Sequence, residues 1–127
     1  IPAGRYISGI TMGIRFVGIC IPWRFAHVST GRKDRKPWED HLTFIENLRI
    51  TKNKTILMGD FNQHIPKTYQ PNDVYFALNK LIKGMTVLTS NMGLDHIAIS
   101  NELKASKVLK IPTGSNSDHD GVSCSIF

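Results

Sequence analysis

Three short polar clusters, each set at the end of an apolar run or inside one, hold the residues of this chain that could do chemistry. The first is Gly59-Asp60-Phe61-Asn62, directly after Thr55-Ile56-Leu57-Met58. A glycine after a buried strand lets the backbone turn sharply. Asp60 and Asn62 are two residues apart and point the same way if the backbone stays extended. A carboxylate beside an amide can hold a nucleophile and donate to a phosphate oxygen, and the same pair also caps ordinary loops. The second cluster is Asp95-His96, between Leu94 and Ile97. Neighbours on an alternating strand face opposite sides, so these two should do different jobs. A buried Asp needs a partner, and a histidine is a natural one. The third is Ser117-Asp118-His119-Asp120, just before the run Gly121 to Phe127. Its carboxylate could bind a hard cation while the imidazole meets a substrate; the plain alternative is an Asx turn leading into a strand.

The elements that must position these clusters alternate along the chain. Gly9 to Ile21 reads as one long strand, rich in Ile, Val and Phe and ended by Pro22. A polar, basic loop follows as far as Pro37. Trp38, Leu42, Ile45 and Leu48 recur at helical spacing, predicting a helix over 38–50 with Glu39 and Asp40 at its positive end. Thr55–Met58 is a short buried strand. Val74, Leu78 and Leu81 predict a helix over 72–83, closed by Gly84. Strands are predicted over 85–89, 94–100, 107–111 and 121–127. The order β, α, β, α, then strands predicts an α/β layered sandwich, with helices covering a mixed sheet.

Taken together and in order, the clusters resemble the motifs of the endonuclease/exonuclease/phosphatase (DNase-I-like) superfamily. Gly59-Asp60-Phe61-Asn62 is similar to its GDFN motif, Asp95-His96 to its internal D-[HY] motif, and Ser117-Asp118-His119 to its closing SDH motif. The resemblance extends over nearly the whole chain and implies a metal-dependent phosphoester hydrolase, with water attacking phosphorus. It gives Asp60 the water, Asn62 and His119 the phosphoryl oxygens, and Asp95 the support of a histidine. It makes Asp118, with Asp60, the metal ligands. Hard oxygen donors suit Mg²⁺ or Mn²⁺. Substrates in the superfamily range from DNA and RNA to phosphoinositides and sphingomyelin.

The chain also departs from that pattern. The family's domain is about twice as long, and its first half supplies a Glu that is the principal metal ligand. The resemblance therefore implies that residues 1–127 are the C-terminal part of one domain whose N-terminal half is absent. It further implies one mixed sheet with helices on one face, an exposed apolar surface on the other, and a site incomplete by itself. Many relatives carry His or Tyr two residues before the proline that ends the first strand; here that position is Cys20. Arg24 and His27 are the nearby candidates for substrate contact.

Composition bounds these readings. The 127 residues suit one domain, and no apolar run approaches a membrane span. Cys20 and Cys124 make neither a disulfide framework nor a zinc pattern; they read as two buried thiols in a reducing compartment, which places the chain in the cytoplasm. The formal net charge is +6, and Arg24, Arg32, Lys33, Arg35 and Lys36 crowd one segment against Asp34 alone. Such a loop suits a phosphorylated or polyanionic partner, nucleic acid included. The second reading is a non-catalytic polyanion-binding module on the same fold. Retention of Asp60, Asn62, Asp95, Asp118 and His119 together argues for catalysis, because binding alone does not demand them.

Overall fold

The computed structural model describes residues 4–127. Five strands form a mixed sheet in the order β1 (Tyr6–Thr11), β2 (Ile14–Cys20), β3 (Thr55–Asp60), β5 (Asp95–Ser100), β4 (Met85–Val87). Only β2 and β3 run parallel. Their connection holds a single turn, α1 (Ala26–Ser29), and the helix α2 (Glu39–Asn47); α3 (Asn72–Ile82) links β3 to β4. A second, two-stranded sheet pairs β6 (Ala105–Ile111) with β7 (Gly121–Ile126).

Alternation along the strands sorts the core into two halves. Val17, Ile19, Leu57 and Ala98 face one side and meet Phe44, Ile45 and Leu48 with Leu78, Leu81 and Ile82. Ile56, Ile97 and Ile99 face the other and meet Leu103, Val122, Cys124 and Ile126. The mixed sheet with helices on one face therefore stands, but the opposite face is not bare, because the β6–β7 hairpin lies across it. Apolar exposure persists at Ile7, Ile10, Met12, Leu109 and Ile111, on the first strand and the outer hairpin.

Three other expectations change. The run 9–21 is not one strand but a hairpin: Met12 and Gly13 both have positive φ (54° and 76°), and Thr11 pairs with Ile14. Two consecutive left-handed residues form the two-residue loop whose twist suits a hairpin. Trp38 lies before α2 with φ 71°; of the predicted stripe Ile45 and Leu48 are buried and Leu42 is half-buried, and the buried face extends to His41 and Phe44. The thiols are not both buried: Cys20 is exposed and Cys124 half-buried, both free. Helix α3 buries Val74, Leu78 and Leu81 as its spacing predicts. Among the described residues no helix is long and apolar enough to cross a membrane.

The unexpected core histidine belongs to a closed hydrogen-bond network that ties both helices to the segment after β3. His41 donates from Nδ1 to the Pro22 carbonyl (2.7 Å) and accepts at Nε2 from the Gln63 amide (3.0 Å). Gln63 also donates to the Val74 carbonyl and accepts from Gln70. His96 donates from Nε2 to the Gln63 carbonyl (2.9 Å) and accepts at Nδ1 from Thr89 (2.9 Å), whose oxygen accepts the Ile97 amide. Each ring has one donor and one acceptor role, so both histidines are neutral. Burial lowers the His41 pKa to about 4, against its Pro22 hydrogen bond, and burial also lowers that of His96.

A pH dependence follows. Unfolded histidines protonate near pH 6.5, so below that value the unfolded chain binds more protons than the folded one. Stability is expected to be full above about pH 6.5 and to decline as pH falls towards 4, by on the order of 3 kcal/mol from His41 alone. Urea denaturation at pH 7 and pH 5 checks this; equal midpoints would contradict it, and His41→Gln should flatten the slope.

Candidate functional site

The site is built on one row of residues that crosses the sheet. In β-pairing register, Cys20 stands beside Asp60, and Asp60 beside Asp95. Alternation points all three to the face that carries the hairpin. The row continues to Arg5 just ahead of β1, whose carbonyl accepts the Cys20 amide (3.1 Å) and whose Nη1 donates to the Cys20 carbonyl (3.2 Å). From the opposite sheet, the loop before β7 reaches over with His119. That loop is held by Thr113, whose hydroxyl donates to the His119 carbonyl (2.9 Å) and whose amide donates to Asp120 (3.3 Å).

His119 joins the two carboxylates. Its Nδ1 lies 2.7 Å from Asp95 Oδ2, and its Nε2 lies 3.7 Å from Asp60 Oδ2. One ligand atom from each of Asp60, Asp95 and His119 falls within 4.8 Å of the others, and all three residues are half-buried. This trio could hold a metal ion. It overlaps with the expected pair Asp60 and Asp118 only at Asp60. The Asp118 side chain is 93% exposed, with Oδ1 3.3 Å from His119 Nε2. Three carboxylates thus face one imidazole, a donor set with negative charge to neutralise.

The pKa directions agree with this. Burial raises the Asp60 carboxyl; the Asn62 amide opposes the rise, and the charge of Asp95 adds to it. Partial burial disfavours the imidazolium of His119, but the hydrogen bond and charge of Asp95, with Asp60 and Asp118, outweigh it and raise its pKa. Asp95→Asn is therefore expected to lower the His119 pKa, read from its imidazole resonances against pH; an unchanged titration would show that Asp95 does not hold the ring.

Local backbone shape explains how β3 delivers its end. Gly59 sits opposite Ile19 with φ 136°, where an added Cβ would lie 1.9 Å from the Ile19 carbonyl oxygen. Asn62 has φ 51°, its amide N–H donates to Asp60 Oδ1 (2.8 Å), and its side chain donates to the Ile21 carbonyl (2.6 Å). A primary amide has two N–H donors, so this anchor leaves one for a substrate. Asp95 and His96 do face opposite sides: Asp95 turns to His119, and His96 turns to the buried network.

Arg24 and His27 do not join the trio. Arg24 is exposed, stacked over the rings of Phe25 (4.8 Å) and Tyr69 (5.1 Å), while His27 is buried in α1. The basic loop is also less free than its charge suggests, because Arg32 and Arg35 both pair with Asp40 at the start of α2 (2.6 and 3.1 Å). Arg5 was not legible as a site residue. The turn signal at Met12-Gly13 would have set the register that brings it to Cys20. No protein-family model, curated protein or solved structure matches the chain.

Proposed function

We propose that this chain carries the phosphoester-hydrolysing site of a DNase-I-like domain, in a form that holds its metal weakly. The observation that carries the reading is the convergence of Asp60, Asp95 and His119 from two sheets onto one point, within 4.8 Å. Their spacing in sequence, 35 and 24 residues, matches no local turn or cap, so a purely local structural role does not account for them.

In this reading Asp60 accepts a proton from a water as the water oxygen bonds to phosphorus and the bond to the leaving oxygen breaks. Burial moves its carboxyl towards the range a general base needs. His119, charged over a wider pH range than a free histidine, donates to a phosphoryl oxygen and offsets charge there. Asp95 orients the ring through Nδ1 and leaves Nε2 towards Asp60. Asn62, anchored on Ile21, offers its second N–H to the same phosphate. The Asp60 and Asp95 carboxylates would hold a Mg²⁺ or Mn²⁺ ion, which supplies Lewis-acid neutralisation of the phosphate. Two carboxylates are few for such an ion, so it would be held weakly.

The test is a titration of the 127-residue chain with Mg²⁺ while His119 is observed by NMR, repeated with Mn²⁺ as a relaxation probe. Weak, saturable perturbation of His119 is expected, lost in Asp60→Asn and unaffected by Asp73→Asn on α3. No perturbation at His119, or one unaffected by Asp60→Asn, would remove the metal-site basis of the reading.

A further inference from the structure

Close along the chain to Asn62 and to its anchor Ile21 lies an exposed strip of rings that the proposed chemistry does not use. Trp23 meets Phe25 edge-on with centroids 5.4 Å apart. The Arg24 guanidinium lies over Phe25 at 4.8 Å and over Tyr69 at 5.1 Å. Tyr69 in turn approaches Trp38 (6.4 Å) and His64 (5.6 Å). Two loops that are distant in sequence, 23–38 and 64–69, therefore form one continuous cation-and-aromatic surface. Its exposed rings are not core residues: Tyr69 is 55% exposed and Trp23 48%. The strip adjoins the site at both ends of the chain path, because His64 is two residues past Asn62, and Arg24 is three past Ile21, the residue that anchors Asn62.

We infer that this strip binds the unstacked bases of a single-stranded nucleic acid, so that the adjoining phosphodiester lies at Asp60, Asn62 and His119. The inference rests on the hydrolase reading for the role of that phosphodiester, but the strip's binding of bases is separable from it. Exposed aromatic faces stack on any base, and a neighbouring arginine adds attraction to both ring and phosphate. Paired bases in a duplex keep their faces against one another and offer none to a side-chain ring, which favours a single strand. A membrane surface is the competing partner for exposed tryptophan and arginine. There, however, the apolar tips insert and the cations lie at the rim. Arg24 lies in the middle of this strip, between the exposed rings, where insertion would carry its charge inwards. The chain's net charge of +6 favours a polyanion in either case and does not decide between them.

The experiment uses the 127-residue chain in EDTA, so that binding is read without turnover. The probes are a fluorescently labelled oligothymidylate, the same strand with abasic sugars, the corresponding duplex, and phosphatidylserine vesicles; anisotropy and tryptophan quenching are the readouts. The base-bearing strand is expected to bind roughly tenfold more tightly than the abasic strand, within the range that loss of one stacked base gives. Tyr69→Ala should erase most of that difference, and Tyr69→Trp should keep it. Tyr69 is exposed, and circular dichroism of both variants checks that the fold is intact. Equal affinity for base-bearing and abasic strands, preference for duplex, preference for vesicles, or no binding at all would overturn the inference. The two readings fail separately. Base-dependent binding by a chain whose His119 is blind to Mg²⁺ sinks the hydrolase and leaves the strip. Mg²⁺ at His119 with no base preference does the reverse.

Discussion

Gly59→Ala is expected to unfold this protein under conditions where the parent chain is folded. The substituted Cβ would lie 1.9 Å from the Ile19 carbonyl oxygen and 3.0–3.1 Å from the Ile19 carbonyl carbon and amide nitrogen. All three are backbone atoms of the neighbouring strand, so no side-chain rotation relieves the clash. The φ of 136° is itself a conformation that residues with a Cβ rarely adopt. Relief requires β2 and β3 to part at the centre of the five-stranded sheet. A loss on the order of 4 kcal/mol or more is expected, which belongs to the exceptional class of single substitutions. It is a large share of the roughly 5–15 kcal/mol that holds a typical domain. Gly9→Ala is the control: an added Cβ at Gly9 meets nothing within 4 Å. Urea midpoints for the three proteins decide the matter. A Gly59→Ala variant as stable as Gly9→Ala would mean that β2 and β3 do not approach this closely.

The second large effect concerns turnover. The 127-residue chain is expected to hydrolyse phosphodiesters at no more than background, with or without Mg²⁺. On the proposed reading Asp60, Asn62 and His119 are in place, but an ion held by two carboxylates would not be fixed where charge develops on the phosphate. Removal of even one preorganised electrostatic donor costs on the order of 10²–10³ in rate. In any longer form of the protein that adds a carboxylate ligand beside Asp60, Mg²⁺-dependent cleavage is expected. There, Asp60→Ala and His119→Ala should each reduce the rate by at least that range. Cleavage of plasmid DNA and of an aryl phosphodiester, with and without EDTA, supplies the readout. Robust EDTA-sensitive turnover by the 127-residue chain itself would show that the trio needs no further ligand.

These two effects meet at one short segment. Gly59 permits the close approach of β2 and β3, and that approach sets Asp60 beside Cys20 in the row that reaches Asp95. The buried network around Gln63 then fixes the exit from β3 through neutral His41 and His96. Strand pairing and a buried hydrogen-bond network thus hold the site from below, while a single loop from the second sheet supplies His119 from above.

Much of this was legible in the residues themselves. The order of elements from α2 onward, the buried face of α3 at Val74, Leu78 and Leu81, and the opposite orientations of Asp95 and His96 all follow from periodicity, which is a local property. The clusters that contain Asp60, Asp95 and His119 also stand out locally, because ionisable groups at strand ends contrast with apolar runs, but which members of the clusters meet was not local. The rest depended on contacts between distant segments. Asp95 sits beside Asp60 through the β3–β5 register, whereas the places of Asp118 and His119 depend on how the β6–β7 hairpin lies across the first sheet, and no spacing within 117–121 contains either. The buried face of α2 turned to His41 because Pro22 and Gln63, 19 and 22 residues away, satisfy both ring nitrogens. Arg5 and the Arg24–Tyr69 stack came from pairing register and loop approach in the same way. Sequence periodicity determined which residues share a face. Tertiary packing alone decided which faces meet, because the partners that satisfy a buried polar group or complete a charge cluster come from elsewhere in the chain.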